Sequence, residues 1–277
     1  MNFINRIPGT DIDVSALGLG TVKIGRNQGV KYPTAFDIPD DRTLRNLLAL
    51  AADLGVNLLD TAPAYGNSEE RLGKLLRSRQ DWVIATKVGE AFIDGSSVFD
   101  FGFEPTLMSV ERSLKRLNSD YLDIVLIHSD GMMETALADS PCLEALRICQ
   151  QKGLVKAIGL SAKTEAGGIA AARHMDLVML TYNPQQQDIR ALEQARQQHK
   201  GVLVKKGLMS GHLDTAGHDP HDPDPIAQCL RFVFREPGIN SLVAGTINPA
   251  HLQHNVETLR RILKEPPDNP APPITPA

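Results

Sequence analysis

Short apolar runs and amphipathic stretches alternate along this chain with little interruption. Apolar runs at 16–20, 56–59, 82–86, 122–127, 155–160, 177–181, 202–204 and 241–244 have strand length, and several are β-branched. Between them, apolar residues recur at helical spacing. Leu44, Leu47, Leu48 and Leu50 follow Asp40-Asp41, and Leu107, Val110, Leu114 and Leu117 follow Pro105. Further helices are predicted near 69–76, 142–152, 165–174, 190–199, 226–235 and 249–263. Asn67-Ser68 and Asn248-Pro249 supply starts, and Gly153 supplies a stop. Residues 2–15 fit a hairpin or an irregular plug. The stretches 21–39, 88–104, 129–141 and 218–225 read as loops, and loops as long as the first two are usually functional.

Eight strand–helix units with no antiparallel hairpin among them predict a parallel sheet. Eight units in roughly 250 residues is the count of a (β/α)8 barrel, the TIM barrel. The expected architecture is a single α/β domain over 1–265, with a Pro-rich tail at 266–277 that is extended or disordered. An open doubly wound sheet is the alternative. It is disfavoured by the lack of a GxGxxG after the first strand.

A net charge of -4 gives no electrostatic case for binding nucleic acid or an anionic membrane surface. No apolar run approaches the ~20 residues of a membrane span, and the N-terminus lacks the basic start and apolar core of a signal peptide. Cys142, Cys149 and Cys229 show neither metal-ligand spacing nor an even disulfide count. Reduced thiols, a cytoplasmic location and no metal are therefore expected. So is a monomer or a weak homo-oligomer.

The chemistry gathers at strand ends. Asp60 closes the second apolar run, with Tyr65 five residues on; Lys87 follows the third run and His128 the fourth. In a barrel these positions meet at one mouth. A phenol with its reference pKa of ~10 is a poor acid at neutral pH. An ammonium beside it favours the phenolate, and a carboxylate keeps that ammonium charged and oriented. An imidazole can hydrogen-bond a carbonyl or share its proton. Together the four form a site that protonates a developing alkoxide. Each has a quieter reading alone, as turn former, loop packing or surface charge.

The segments LGLGT (17–21), GVNLLDTAPAYGNSEERLGKLL (55–76), ATK (85–87), DYLDIVLIH (120–128), VKAIGLS (155–161), TYN (181–183), VLVKKGLMSG (202–211) and NPAHLQHNVE (248–257) resemble the aldo-keto reductases nearly end to end. The resemblance implies a (β/α)8 barrel that binds a nicotinamide cofactor without a Rossmann domain and reduces a small-molecule aldehyde or ketone. It makes Asp60, Tyr65, Lys87 and His128 the catalytic set, with Tyr65 as proton donor.

For the cofactor, the resemblance implies contacts from Thr21, Ser161, Tyr182, Gly245, Thr246, Asn248, His251 and Asn255. Tyr182 matches the ring that stacks on the nicotinamide, and Ser161 matches a carboxamide contact. Ala162 and Met179 replace the family's Asn and Gln, so backbone groups or Asn183 would have to compensate. The helix start at Asn248 offers N–H groups to an anion. Lys205 and Lys206 are phosphate partners or a solvated pair. NADP(H) is expected over NAD(H), on family frequency. Phe36, Phe92 and Met132 are candidate pocket residues. Two further readings stay open: a nucleotide-binding regulatory subunit with little turnover, and a barrel lyase or isomerase using no nucleotide.

Overall fold

Side chains along a strand alternate between two faces, and that period of two organises this molecule. A computed structural model of the chain describes residues 2–30, 32–212 and 224–265. The first elements are an antiparallel hairpin, β1 (Ile4–Arg6) with β2 (Asp13–Ser15). Next come β3 (Leu17–Gly20), the single turn α1 (Val22–Gly25), α2 (Asp41–Asp53), β4 (Leu58–Asp60), α3 (Ser68–Leu75) and β5 (Val83–Val88). A second antiparallel hairpin follows, β6 (Glu90–Ile93) with β7 (Ser96–Phe99), and then α4 (Phe103–Arg116) and β8 (Leu122–His128). The later half runs α5 (Pro141–Gln151), β9 (Val155–Ser161), α6 (Glu165–His174), β10 (Leu177–Thr181) and α7 (Ile189–Gln197). It ends with β11 (Gly201–Lys205), α8 (Pro225–Phe234), β12 (Ser241–Ala244) and α9 (Pro249–Ile262).

Eight parallel strands close the barrel in the order β3-β4-β5-β8-β9-β10-β11-β12, with β12 pairing back onto β3. The expected barrel is the observed one. Odd and even strand positions feed separate cores. Leu58, Ala85, Ile124, Leu126, Ala157, Leu177, Met179 and Leu203 point inward. Their neighbours Leu59, Ile84, Val125, Ile158, Val178 and Val204 point outward to the helices. The β1–β2 hairpin is a plug: Ile7, Ile12 and Val14 pack into the inner cluster at the strands' N-terminal end. Chemistry is thereby confined to the opposite end.

The helices begin where side-chain caps are available. Asp40 accepts from the Thr43 N–H at 2.7 Å, Thr164 from Gly167, Asp224 from Ile226 and Ala227, and Asn248 from Ala250. Asn67 stands at the start of α3 but makes no capping bond, contrary to its sequence reading.

The larger departure is the β6–β7 hairpin, inside a stretch read as loop. Its turn is Asp94-Gly95, both left-handed with φ of 48° and 81°, a two-residue turn whose twist matches the flanking strands. The 129–141 stretch also holds a 3-10 segment, Met133–Asp139. Most of the loop expected at 218–225, and the tail at 266–277, lie outside the described residues. Among those residues no helix is long and apolar enough to cross a membrane. Cys142, Cys149 and Cys229 are free and buried.

The two-core arrangement predicts unequal costs for truncation. Leu126→Ala, inside the barrel, should cost about 2–5 kcal/mol in urea unfolding. Met108→Ala, 64% exposed on α4, should stay within about 0.5 kcal/mol. Equal effects would contradict the interior assignment of Leu126.

Candidate active site

Counting inward positions to the C-terminal end of each strand gives a ring: Gly20, Asp60, Lys87, His128, Ser161, Thr181, Lys205 and, just past β12, Gly245. Parity selects these residues. Their sequence neighbours face the helices.

At the centre of the ring Lys87 is buried, with its Nζ 2.6 Å from Asp60 Oδ1 and donating to the Thr61 carbonyl at 2.8 Å. Burial opposes the ammonium, but Asp60 and Tyr65 outweigh it and raise the Lys87 pKa. The same Nζ lies 4.6 Å from the centre of the Tyr65 ring. Tyr65 is pushed up to about 12, chiefly by burial; Lys87 pulls down and Asp60 adds to the rise. The sequence reading had Lys87 making Tyr65 more acidic than a free phenol. Here burial wins, and Lys87 limits the rise. Tyr65 is therefore a neutral phenol at physiological pH.

The Tyr65 loop is fixed by residues around it. The Thr21 N–H and hydroxyl both donate to the Asp60 carbonyl at 2.9 Å, and the Ser68 hydroxyl bonds Thr21 and Thr61. Backbones also meet directly, because a Cβ on Gly25 would lie 2.1 Å from the Tyr65 carbonyl oxygen. Glu69 turns into the protein, accepting from the Thr86 hydroxyl at 2.6 Å and pairing with Arg116 at 3.4 Å. Arg71 donates to the Ile24 and Pro39 carbonyls. Most of the DTAPAYGNSEER passage is thus scaffold for one phenol. Thr21, expected at the cofactor, is fully buried and committed to this scaffold.

His128 meets the Tyr65 ring edge-on, centroids 6.2 Å apart. Its Nδ1 lies 2.5 Å from Glu90 Oε2, an ion-pair distance without the alignment of a ring N–H hydrogen bond. Burial lowers the His128 pKa, Glu90 pulls it back, and Lys87 and Lys205 push it down further. Burial would raise Glu90, yet the imidazole outweighs it and brings Glu90 to about 2. A carboxylate on the Nδ1 side favours the tautomer with its hydrogen there and leaves Nε2 as acceptor. Glu90 was not foreseen. It arrives on β6, and its signal was the Asp-Gly turn.

The cofactor candidates divide. Ser161 faces the mouth, and Lys205 turns in beside it, donating to Ser161 Oγ at 3.0 Å and to the Ala162 carbonyl. Lys206 is exposed, so the two lysines face different surroundings and do not act as a pair. Tyr182, one residue out of phase, is buried outward and stacked on Phe232 at 5.2 Å, so it offers the mouth no ring face. Met179 lies in the inner cluster. Asn183 spends its amide on the Lys206 carbonyl and the Gln185 and Gln186 N–H groups, so it cannot replace the missing amide contacts.

At α9, Pro249 has no N–H, and Asn248 takes those of Ala250 and Leu252. That leaves His251 N–H for an anion rather than the open turn expected. Thr246 accepts from the Asn248 N–H, His251 is exposed, and Asn255 is buried on the same helix. The loop after α1 crosses to this side. A Cβ on Gly245 would lie 3.0 Å from the Tyr32 hydroxyl, and Lys23 caps the Tyr32 ring at 4.0 Å. Phe36 packs edge-on to Tyr32, Arg26 covers Phe92, and Met132 is 81% exposed. Phe36 and Phe92 are thus engaged in loop packing.

Comparison with known proteins agrees with this fold. The profile of the aldo/keto reductase family matches residues 16–225. A Pseudomonas aeruginosa structure described as an aldo-keto reductase is 46% identical, with a TM-score of 0.84 over 95% of this chain and 96% of its own. An aldo-keto reductase of Bacillus subtilis is 28% identical over 257 residues, 85% of this chain and 73% of that protein. L-galactose dehydrogenase of Arabidopsis thaliana is 35% identical over 158 residues, 55% of this chain. The match spans 46%, about half, of that enzyme's length.

The Glu90 contact carries a prediction. Glu90→Gln removes the carboxylate that raises the His128 pKa, so His128 should titrate at lower pH by NMR. An unchanged His128 titration would mean that Glu90 does not tune the imidazole.

Proposed function

The chain belongs to the aldo/keto reductase family, and from that premise we propose that it reduces an aldehyde or ketone to an alcohol with NADP(H), in preference to NAD(H). The observation that carries this reading is a neutral phenol beside an ammonium that is itself locked to a carboxylate. A developing alkoxide is a far stronger base than water. Tyr65 keeps its proton until that charge appears and then gives it up. Lys87, held by Asp60 and Thr61, stabilises the phenolate left behind. Neutral His128 accepts at Nε2. Its Nδ1 side is held by Glu90, which fixes the ring with Nε2 turned to the mouth.

Several groups at the mouth support a nicotinamide dinucleotide as the hydride donor. Ser161 Oγ and the Lys205 ammonium face the mouth, and the His251 N–H and exposed Lys206 are the candidate anion contacts. When bound, the reduced nicotinamide supplies the hydride. The intact Asp60, Tyr65, Lys87 and His128 set favours turnover over a regulatory role.

Two measurements test the reading. Tyr65→Phe should lose about 10²–10⁴ in kcat/KM for an electron-poor aldehyde while its NADPH Kd stays within a factor of two. Wild-type turnover by this variant would remove Tyr65 as the acid. Tighter NADPH than NADH binding, followed by Trp82 fluorescence, would support the phosphate preference, and equal affinity would remove it.

A further inference from the structure

Lys205 differs from Lys87, the other lysine of the inward ring, in having no carboxylate partner among the described residues. Lys87 is matched by Asp60, whereas Lys205 has only the Ser161 hydroxyl and the Ala162 carbonyl as partners among the described residues. An ammonium has three donors, so one N–H remains for whatever fills the mouth. The groups facing Lys205 from the surrounding elements do not balance it. Lys206 follows it just past the end of β11, and both Lys206 and Lys87 on β5 repel it. His128 on β8 lies within range of its field. Two carboxylates are close enough to help, but both are engaged elsewhere. Glu134 holds the Lys163 and Thr164 N–H groups, and Asp188 holds the Thr181 N–H. Burial, and then the two lysines, bring Lys205 down to about 7, so its charge changes across the physiological range.

We propose that Lys205 makes the mouth distinguish the oxidised from the reduced dinucleotide and ties that choice to a proton. The inference rests on the nicotinamide reading above, with Ser161 as the nicotinamide-side contact. The pyridinium of the oxidised form is a cation, and the dihydropyridine of the reduced form is neutral. A charged, unpaired ammonium bonded to Ser161 therefore repels one and tolerates the other. Loss of the Lys205 proton removes that repulsion, so oxidised cofactor is accepted better as pH rises. The protein then favours the reduced form at neutral and acid pH and releases the spent form more readily there.

The test is the Kd of NADP+ and of NADPH between pH 6 and 8.5, in wild-type protein, Lys205→Met and Lys205→Arg, read by intrinsic fluorescence without a carbonyl substrate. Groups facing the phosphates weigh on both forms equally and drop out of the ratio. For a lysine of pKa about 7, the NADP+/NADPH Kd ratio in wild type should fall about tenfold across this range. Lys205→Met should flatten the ratio at its high-pH value. Lys205→Arg, always charged, should hold it near its low-pH value. If Lys205→Met does not fold, wild type against Lys205→Arg still decides. A wild-type ratio that does not move with pH overturns the inference, as does a slope that survives in Lys205→Met or in Lys205→Arg. Failure of both nucleotides to bind at any pH overturns the nicotinamide reading itself.

Discussion

The Lys87–Asp60 ion pair is the contact on which the rest of the mouth depends. Both side chains are buried, and a buried charge without its partner is costly, with removal of one partner typically losing about 3–5 kcal/mol. Here the pair is also hydrogen-bonded, because Lys87 donates to Thr61 and the Asp60 carbonyl is held by Thr21. That satisfaction lets a positive charge persist beside Tyr65, where burial alone would drive the phenol still further from reactivity. The scaffold of Thr61, Ser68, Glu69 and Arg71 exists to keep the phenol within reach of that charge.

A second constraint is parity. Asp60, Lys87, His128, Ser161 and Lys205 share the inward phase of their strands, so closure of the barrel suffices to bring them together. The β1–β2 plug fills the other end with Ile7, Ile12 and Val14, and the polar ring is left as one open face. Position on the ring then sets each role: Lys87 touches a carboxylate, His128 touches another, and Lys205 touches none.

Much of this was legible in the chain itself. Eight apolar runs spaced by helical stretches matched the count of a barrel, and the residues ending runs two to four, with Tyr65 in the loop after the second, gave the four side chains that meet at the mouth. What was lost depended on phase and on short-range turns. Tyr182 follows its strand by one residue, and a single step turns a side chain to the helices; a motif match carries no phase. Lys205 and Lys206 look alike in sequence, yet one faces inward and the other faces solvent. Glu90 was hidden because the hairpin that carries it has strands of only four residues, although Asp94-Gly95 is a hairpin signal. The net effect of burial on Tyr65 also lies beyond a list of neighbours.

In the proposed reaction one carbonyl receives a hydride from the reduced nicotinamide at carbon and a proton from Tyr65 at oxygen. Incubation with NADPH carrying deuterium at the transferring nicotinamide carbon and an electron-poor aromatic aldehyde, with mass spectrometry of the alcohol, tests it directly. One deuterium is expected on the carbinol carbon, transferred stereospecifically, with the hydroxyl hydrogen drawn from solvent. An alcohol whose carbinol carbon carries no label would contradict it.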